Sequence, residues 1–223
     1  MNYNIISTGS HGNAVVLNDN ILIDCGVSFK ALKDIHKQLQ IVLLTHEHSD
    51  HTNKTTIRNL AKERPTLRFG CCEWLVLTLV ECGVPERNID VFEVGKMYDY
   101  GAFKVSPIKL YHDVPNCGYR LYFGDKKALY ATDTEHLNGI TAKDYDLYMV
   151  EANYTEDDLQ ERIEAKMESG QYCYEKNVAS RHLSHEQASE FLLENMGRNS
   201  EYVFLHGHVD KSDKAEDWGY QDE

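Results

Sequence analysis

Short apolar runs broken by turn-forming residues recur along the chain. Residues 3–6, 14–17 and 21–23 are three such runs, separated by Ser7-Thr8-Gly9-Ser10-His11-Gly12-Asn13 and by Asn18-Asp19-Asn20, and they predict strands that begin as hairpins. Residues 28–39 carry Phe29, Leu32, Ile35 and Leu39 at helical spacing and predict a helix with His36 on its solvated side. Ile41-Val42-Leu43-Leu44 predicts a buried strand feeding a loop. Helices are expected over 52–63, stopped by Pro65, and over 73–82, where Gly83 suits a C-terminal cap. Runs at 89–94 and 103–110 predict strands around Tyr100-Gly101, and 118–123 with 127–131 predicts a hairpin around Gly124-Asp125-Lys126. A further strand covers 147–150. The stretch 155–169 reads as a helix whose Glu156, Asp157, Asp158, Glu161, Glu164 and Glu168 form a solvated face, and 171–176 reads as a polar loop. Ser184 followed by Gln187 makes a capping box, so a helix starts there and runs through Ala188, Leu192 and Met196 to Gly197. Tyr202-Val203-Phe204-Leu205 is the last predicted strand. Paired strands followed by alternating strands and helices suit a layered α/β fold.

The polar residues at the ends of these strands carry the candidate chemistry. Thr45-His46-Glu47-His48-Ser49-Asp50-His51 places four possible metal ligands within six residues, at the C-terminal end of an apolar run. Imidazole and carboxylate suit zinc, manganese or iron, and one loop with four ligands can serve two ions. The competing reading is a polar loop that is merely His-rich. Other strand ends offer Asp24, which can accept a hydrogen bond from a metal-binding histidine or cap a turn; His112; and Asp133, which can bridge two metals or cap the next segment. The last strand offers His206 and His208. His182 lies just before a helix N-terminus, a place that attracts anions. Lys54, Arg58 and Lys62 recur every four residues and share one helix face; with Arg64 and Arg68 close behind they could grip phosphates, or be only a solvated face.

Composition narrows the setting. The chain of 223 residues fits one domain, expected over residues 1–210, with a charged tail at 211–223 that lacks an apolar pattern. No run is long and apolar enough for a bilayer, and Met-Asn-Tyr-Asn-Ile-Ile lacks the pattern of a signal peptide, so a cytoplasmic location without membrane partners is expected. The six cysteines show no C-x-x-C spacing and are expected as free thiols. A formal net charge of −13 argues mildly against broad binding to phosphate backbones.

The pattern H-x-H-x-D-H followed in order by a His, an Asp and a His, each after an apolar strand, resembles the metallo-β-lactamase-fold hydrolases over nearly the whole chain. The resemblance implies an αββα sandwich of two mixed β-sheets with helices on both outer faces and a site at one edge. It implies two divalent ions per chain, zinc or manganese, with iron also open. His46, His48 and His112 match one metal's ligands, Asp50, His51 and His206 the other's, and Asp133 the bridging carboxylate; His206 is preferred to His208 because it directly follows the strand. Gly9-Ser10-His11-Gly12-Asn13, Leu22-Ile23-Asp24-Cys25-Gly26, Gly118-Tyr119-Arg120, Glu151-Ala152-Asn153-Tyr154 and Arg181-His182-Leu183-Ser184 together look like the YycJ/WalJ branch, which is similar to RNase Z-type phosphodiesterases and is associated with exonuclease action on DNA. The branch usually has a serine where His11 stands and an asparagine where His185 stands.

What this implies is phosphodiester hydrolysis by a metal-activated hydroxide that Asp50 helps to orient. His182 acts on the scissile phosphate and the leaving oxygen, and Lys54, Arg58, Lys62 and Ser184 are candidates for holding substrate, with DNA the favoured partner. Two other classes compete. A hydrolase of a thioester, lactone or cyclic phosphodiester suits the acidic charge, and a metal-binding protein without turnover would act through protein contacts.

Overall fold

Alternation along the strands builds two sheets, as the computed structural model shows for residues 1–169, 173 and 177–207. The first contains β1 (Tyr3–Ser7), β2 (Ala14–Leu17), β3 (Ile21–Ile23), β4 (Ile41–Leu43), β5 (Arg68–Cys72) and β6 (Ile89–Phe92), in that order. Its first three strands pair antiparallel, and β3 to β6 pair parallel. The second contains β7 (Tyr98–Asp99), β8 (Lys104–Leu110), β9 (Asn116–Phe123), β10 (Lys126–Ala131), β11 (Leu147–Glu151) and β12 (Glu201–Leu205), again neighbours in chain order. Here β10, β11 and β12 are parallel and the rest antiparallel. Helices α1 (Lys54–Glu63), α2 (Val76–Glu81), α3 (Glu156–Glu168) and α4 (His185–Asn195) complete the fold.

Side chains that alternate along each strand divide the apolar residues into layers. Ile21, Ile23, Ile41 and Leu43 face Tyr119, Leu121, Tyr130 and Met149 between the sheets. Leu22, Val42 and Phe69, on the opposite face, pack on Ile57 and Leu60 of α1 and Leu79 of α2. Leu129, Ala131 and Val150 pack on Ala188, Phe191 and Leu192 of α4. This is the mixed αββα sandwich that the sequence resemblance implies.

Four local expectations change. Residues 28–39 are not an α-helix but a 3-10 turn, Phe29–Leu32, followed by further turns closed by bonds such as Ile35 N to Leu32 O and Gln38 N to Ile35 O. The carbonyls of His36 and Leu39 are taken by the Arg64 guanidinium, so the chain has partners for them without an α-helical ladder. His36 is buried rather than solvated, its Nδ1 2.7 Å from Lys33 O and its ring against Phe29. The helix expected from residue 52 starts at Lys54, because Asn53 accepts from Thr56 N and caps it. The two-residue β7 is too short to show a period. Most of the loop at 171–176, His208 and the tail at 211–223 lie outside the described residues.

The approach of two loops fixes where the site forms. Cys25 N donates to His51 O and Asn13 N to Asp50 O, at 2.8 and 2.6 Å. Between them sits Gly26, where a Cβ would come within 1.7 Å of Asp50 O. Gly26→Ala therefore has to push the ligand-bearing loop away. A loss of about 3 kcal/mol or more is expected, since overpacking against backbone cannot relax by a rotamer change. In a chain of this size that is a fall in Tm of about 6–12 °C. A thermal melt identical to wild type would show that the two loops do not depend on this contact.

Candidate metal centre

Parallel strands deliver their C-terminal ends to one edge of the sandwich. Asp24 follows β3, and His46, His48, Asp50 and His51 follow β4. In the second sheet His112 follows β8, Asp133 follows β10, Glu151 ends β11 and His206 follows β12. Asp24, Asp133 and His206 all have positive φ, at 58, 56 and 56°. Such left-handed backbone in non-glycine residues costs of order 1 kcal/mol or more each, and here it turns each side chain out of its strand toward the same point.

The ligand-type atoms form overlapping clusters. His46, His48 and His112 make one, Asp50, His51 and His206 another, and Asp133 joins His46 and His51 in a third. His112 Nε2 lies 3.3 Å from His48 Nδ1. His206 Nε2 lies 3.5 Å from Asp50 Oδ2 and 3.4 Å from Asp133 Oδ1, and His51 Nε2 is 2.7 Å from Asp133 Oδ2. Six imidazoles thus surround one carboxylate once His182 is counted, its ring stacked on that of His206.

The surroundings fix which nitrogen faces inward. Asp24 is fully buried and accepts four bonds: from Thr45 N and Oγ1, from His51 Nδ1 at 2.7 Å and from Tyr130 Oη. His46 Nδ1 is 3.0 Å from Thr45 Oγ1, and His112 Nδ1 donates to Arg181 O at 3.0 Å. With Nδ1 occupied, His46, His51 and His112 turn Nε2 toward the centre, the arrangement in which a neighbouring acceptor orients a metal-binding histidine. Asn153 Nδ2 donates to the carbonyl of His206 at 2.9 Å and lies 3.1 Å from its Nδ1.

A divalent cation fits this donor set. His46 Nε2, Asp133 Oδ2 and His206 Nε2 are buried and have no hydrogen-bond partner among the described residues; Asp133 Oδ2 is close to His51 but not aligned with it. Buried polar atoms are rarely left orphaned; Asp133 shares one ligand cluster with His46 and another with His206, and nitrogen and carboxylate oxygen are good ligands for zinc or manganese.

Electrostatics agree with the geometry. Burial, aided by the neighbouring His51, drives the His46 pKa down to about 2, so it stays a neutral ligand. Burial also opposes charge on His206, but Asp133, Asp50 and Glu151 outweigh it and raise its pKa to about 9. Burial opposes the Asp133 carboxylate too, yet His51 and His206 hold its pKa well below the usual range. Without metal the centre is therefore a paired cluster of carboxylates and imidazolium ions, whose protons a cation would displace.

The sequence placed Glu151 in a motif of the resemblance but gave it no role in the site. It is 0% exposed, and its Oε1 accepts from His182 Nδ1 at 2.6 Å while Oε2 accepts from Thr134 N at 3.0 Å. The signal was present, since Glu151 ends an apolar run as Asp24 and Asp133 do. Asn13, 2.8 Å from His51 Nε2, was quoted in a motif but given no role, and Asp113, which pairs with Arg181 beside His48 and His112, was missed.

The substrate candidates sit on α1 and at the N-terminus of α4. Lys54 pairs with Glu81 at 3.8 Å, and Arg58 lies on the same side of α1, beside Cys82 on the flank of α2. Lys62 is exposed further along α1. Arg64 holds the turns at 36–39, and Arg68 pairs with Asp90. Ser184 is buried and caps α4, closing a capping box with Gln187.

No helix among the described residues is long and apolar enough to cross a membrane. The chain is 27% identical to the exodeoxyribonuclease WalJ of Streptococcus pneumoniae serotype 2 (strain D39 / NCTC 7466) over 240 aligned residues, which cover 96% of this chain and 84% of that protein. It is 24% identical to the exodeoxyribonuclease YycJ of Bacillus anthracis over 149 residues, 62% of this chain and 56% of that one. Its fold is similar to that of human tRNase Z, short form, with a TM-score of 0.69 at 16% identity, covering 93% of this chain and 92% of that chain. It is also similar to the Bacillus subtilis metallo-beta-lactamase fold protein YhfI, with a TM-score of 0.70 at 16% identity, covering 92% and 85%. A family model described as the beta-lactamase superfamily domain matches residues 19–208, most of the chain, and the chain belongs to that family.

Proposed function

We propose that this chain is a metal-dependent phosphodiesterase acting on nucleic acid, most specifically a DNA exonuclease, with two divalent ions. The observation that carries the reading is the His182–Glu151 pair at the edge of the metal centre, His182 Nδ1 being 3.4 Å from Asp133 and 2.6 Å from Glu151. Relatives named exodeoxyribonucleases supply the polymer and the mode of attack.

His46, His48 and His112 would hold one ion and Asp50, His51 and His206 the other, with Asp133 between them. Such ions polarise a phosphoryl oxygen and lower the pKa of water from 15.7 to about 7. The protein's own residues handle orientation and the proton. Asp24, Thr45 and Arg181 O fix the imidazoles. His182 gives its Nδ1 proton to the bond with Glu151 and keeps Nε2 to protonate a leaving oxygen. Glu151, through its charge, stabilises the imidazolium form of His182, which burial alone would disfavour.

The reading is tested with end-labelled single-stranded and duplex DNA and RNA, incubated with manganese or zinc and again with a chelator. Release of terminal nucleotides from DNA that stops on chelation is expected. A second reading, a hydrolase of a small phosphodiester or thioester, is favoured by one observation: Lys54, Arg64 and Arg68 are engaged with Glu81, backbone carbonyls and Asp90 respectively. Metal-loaded protein that cuts no polymer but hydrolyses such a compound would decide for it.

A further inference from the structure

Asp113 stands against two of the ligand histidines, and the proposed chemistry gives it no part. It follows His112 directly, past the end of β8. Its Oδ1 lies 3.2 Å from His112 Nε2 and 3.5 Å from His48 Nε2, and its Oδ2 pairs with Arg181 Nη1 at 3.1 Å. Arg181 therefore meets this pair twice. Its backbone carbonyl accepts from His112 Nδ1, and its guanidinium holds the carboxylate that faces the other nitrogen of the same ring. With the ring's proton on Nδ1, a neutral His112 turns a lone pair toward Asp113, and a carboxylate has no proton to offer it. Two such groups 3.2 Å apart repel unless a positive charge lies between them. The spacing suits a metal ion. His112 Nε2 is 3.3 Å from His48 Nδ1 and 3.2 Å from Asp113 Oδ1, the separation expected of neighbouring tetrahedral ligands whose bonds to zinc are about 2.0–2.2 Å.

We propose that Asp113 is a ligand, through Oδ1, of the ion held by His46, His48 and His112, and that Arg181 keeps its carboxylate in place. The proposal rests on the two-ion reading and adds a residue to it. It removes a difference between the two clusters. The cluster of Asp50, His51 and His206 has a carboxylate of its own, whereas that of His46, His48 and His112 has imidazoles alone. Counting Asp113 gives each ion one carboxylate besides the shared Asp133. Each ion then takes a pair of adjacent residues, Asp50-His51 or His112-Asp113. An anionic ligand also offsets the charge of an ion otherwise faced by neutral rings. The ion pair with Arg181 orients the side chain before a metal arrives, which reduces the ordering that binding has to supply.

The test titrates the metal-free full chain with manganese and with zinc, in competition with a metallochromic chelator, for wild type, Asp113→Ala, Asp113→Asn and Arg181→Ala. Wild type is expected to take up about two ions. In Asp113→Ala one binding step for manganese should weaken by more than about 100-fold, beyond the roughly 10–100-fold typical of a residue one step removed from the ion, and the other step should stay as in wild type. Zinc should weaken by less than about tenfold. Three imidazoles and Asp133 still complete a tetrahedron for zinc, whereas manganese takes an octahedral set rich in oxygen. Arg181→Ala keeps the carbonyl that holds His112, so its manganese affinity should fall only within the roughly 10–100-fold range. Asp113→Asn keeps the shape and one oxygen, and its manganese affinity should fall in the same direction by less; it decides the matter if the alanine variant does not fold. Equal losses for zinc and manganese overturn the proposal, since they assign Asp113 to bracing the loop through Arg181. If wild type and both Asp113 variants take up two ions with the same affinities, Asp113 leaves the site while the two-ion reading stands; if wild type takes up none, both fall.

Discussion

Asp50→Ala is expected to lower turnover on DNA on the order of 10³-fold, the several kcal/mol that a positioned cation contributes to a transition state. Asp50 Oδ2 lies within 3.5 Å of His206 Nε2 and 3.8 Å of His51 Nε2, and it is the only carboxylate of that three-residue cluster. Its loss leaves two imidazoles that Asp133 still holds, while the cluster of His46, His48 and His112 is untouched. On the proposed two-ion reading, metal content by elemental analysis should fall from about two ions toward about one. The fold should not follow, because the contact that Asp50 makes to Asn13 N uses its backbone oxygen, which alanine keeps. An Asp50→Ala protein with wild-type turnover and unchanged metal content would remove Asp50 from the centre. A large fall in Tm would assign it a structural role instead.

His182→Ala should leave the metal content intact and lower turnover by about 10²–10⁴, the usual range for loss of a positioned proton donor. Glu151→Gln gives the more discriminating result. Burial works against charge on His182, but the buried Glu151 carboxylate outweighs it and raises the His182 pKa above the ordinary imidazole value. A raised pKa keeps the acid form populated as pH climbs, so activity is retained until pH passes that value. With the charge removed and the shape kept, burial prevails, the His182 pKa falls, and the alkaline limb of the rate profile should move to lower pH. Stability follows the same sign: the pair's contribution is complete below the unfolded histidine value of about 6.5 and is lost as pH rises through the folded one. The variant's deficit in Tm should therefore be larger at pH 6 than on the alkaline side. A Glu151→Gln profile that merely scales down, with no shift of the limb, would mean that Glu151 only supports the loop at 182–184 through its bonds to Thr134 and Leu183.

What the sequence by itself determined is whatever local pattern can hold. Apolar runs of four to six residues marked most of the strands, and ligand-type residues stood at their ends in the order His46, His48, Asp50, His51, His112, Asp133, His206. The capping box at Ser184 was legible because its two partners are three residues apart. Only the tertiary structure decided pairings across long separations. Glu151 meets His182 over 31 residues, and Asp24 meets Tyr130 over 106. The stretch 28–39 has a helical apolar spacing, yet it settles into turns, and Arg64, just past α1, takes the carbonyls at its end. Of the basic residues that could have gripped phosphates, Lys54 pairs with Glu81 and Arg68 with Asp90, partners that arrive from other elements. The physical reason is the same in each case. Periodicity records which face of an element is buried, whereas the partner that a polar group finds depends on which strand lies next to which, and that order belongs to the whole fold.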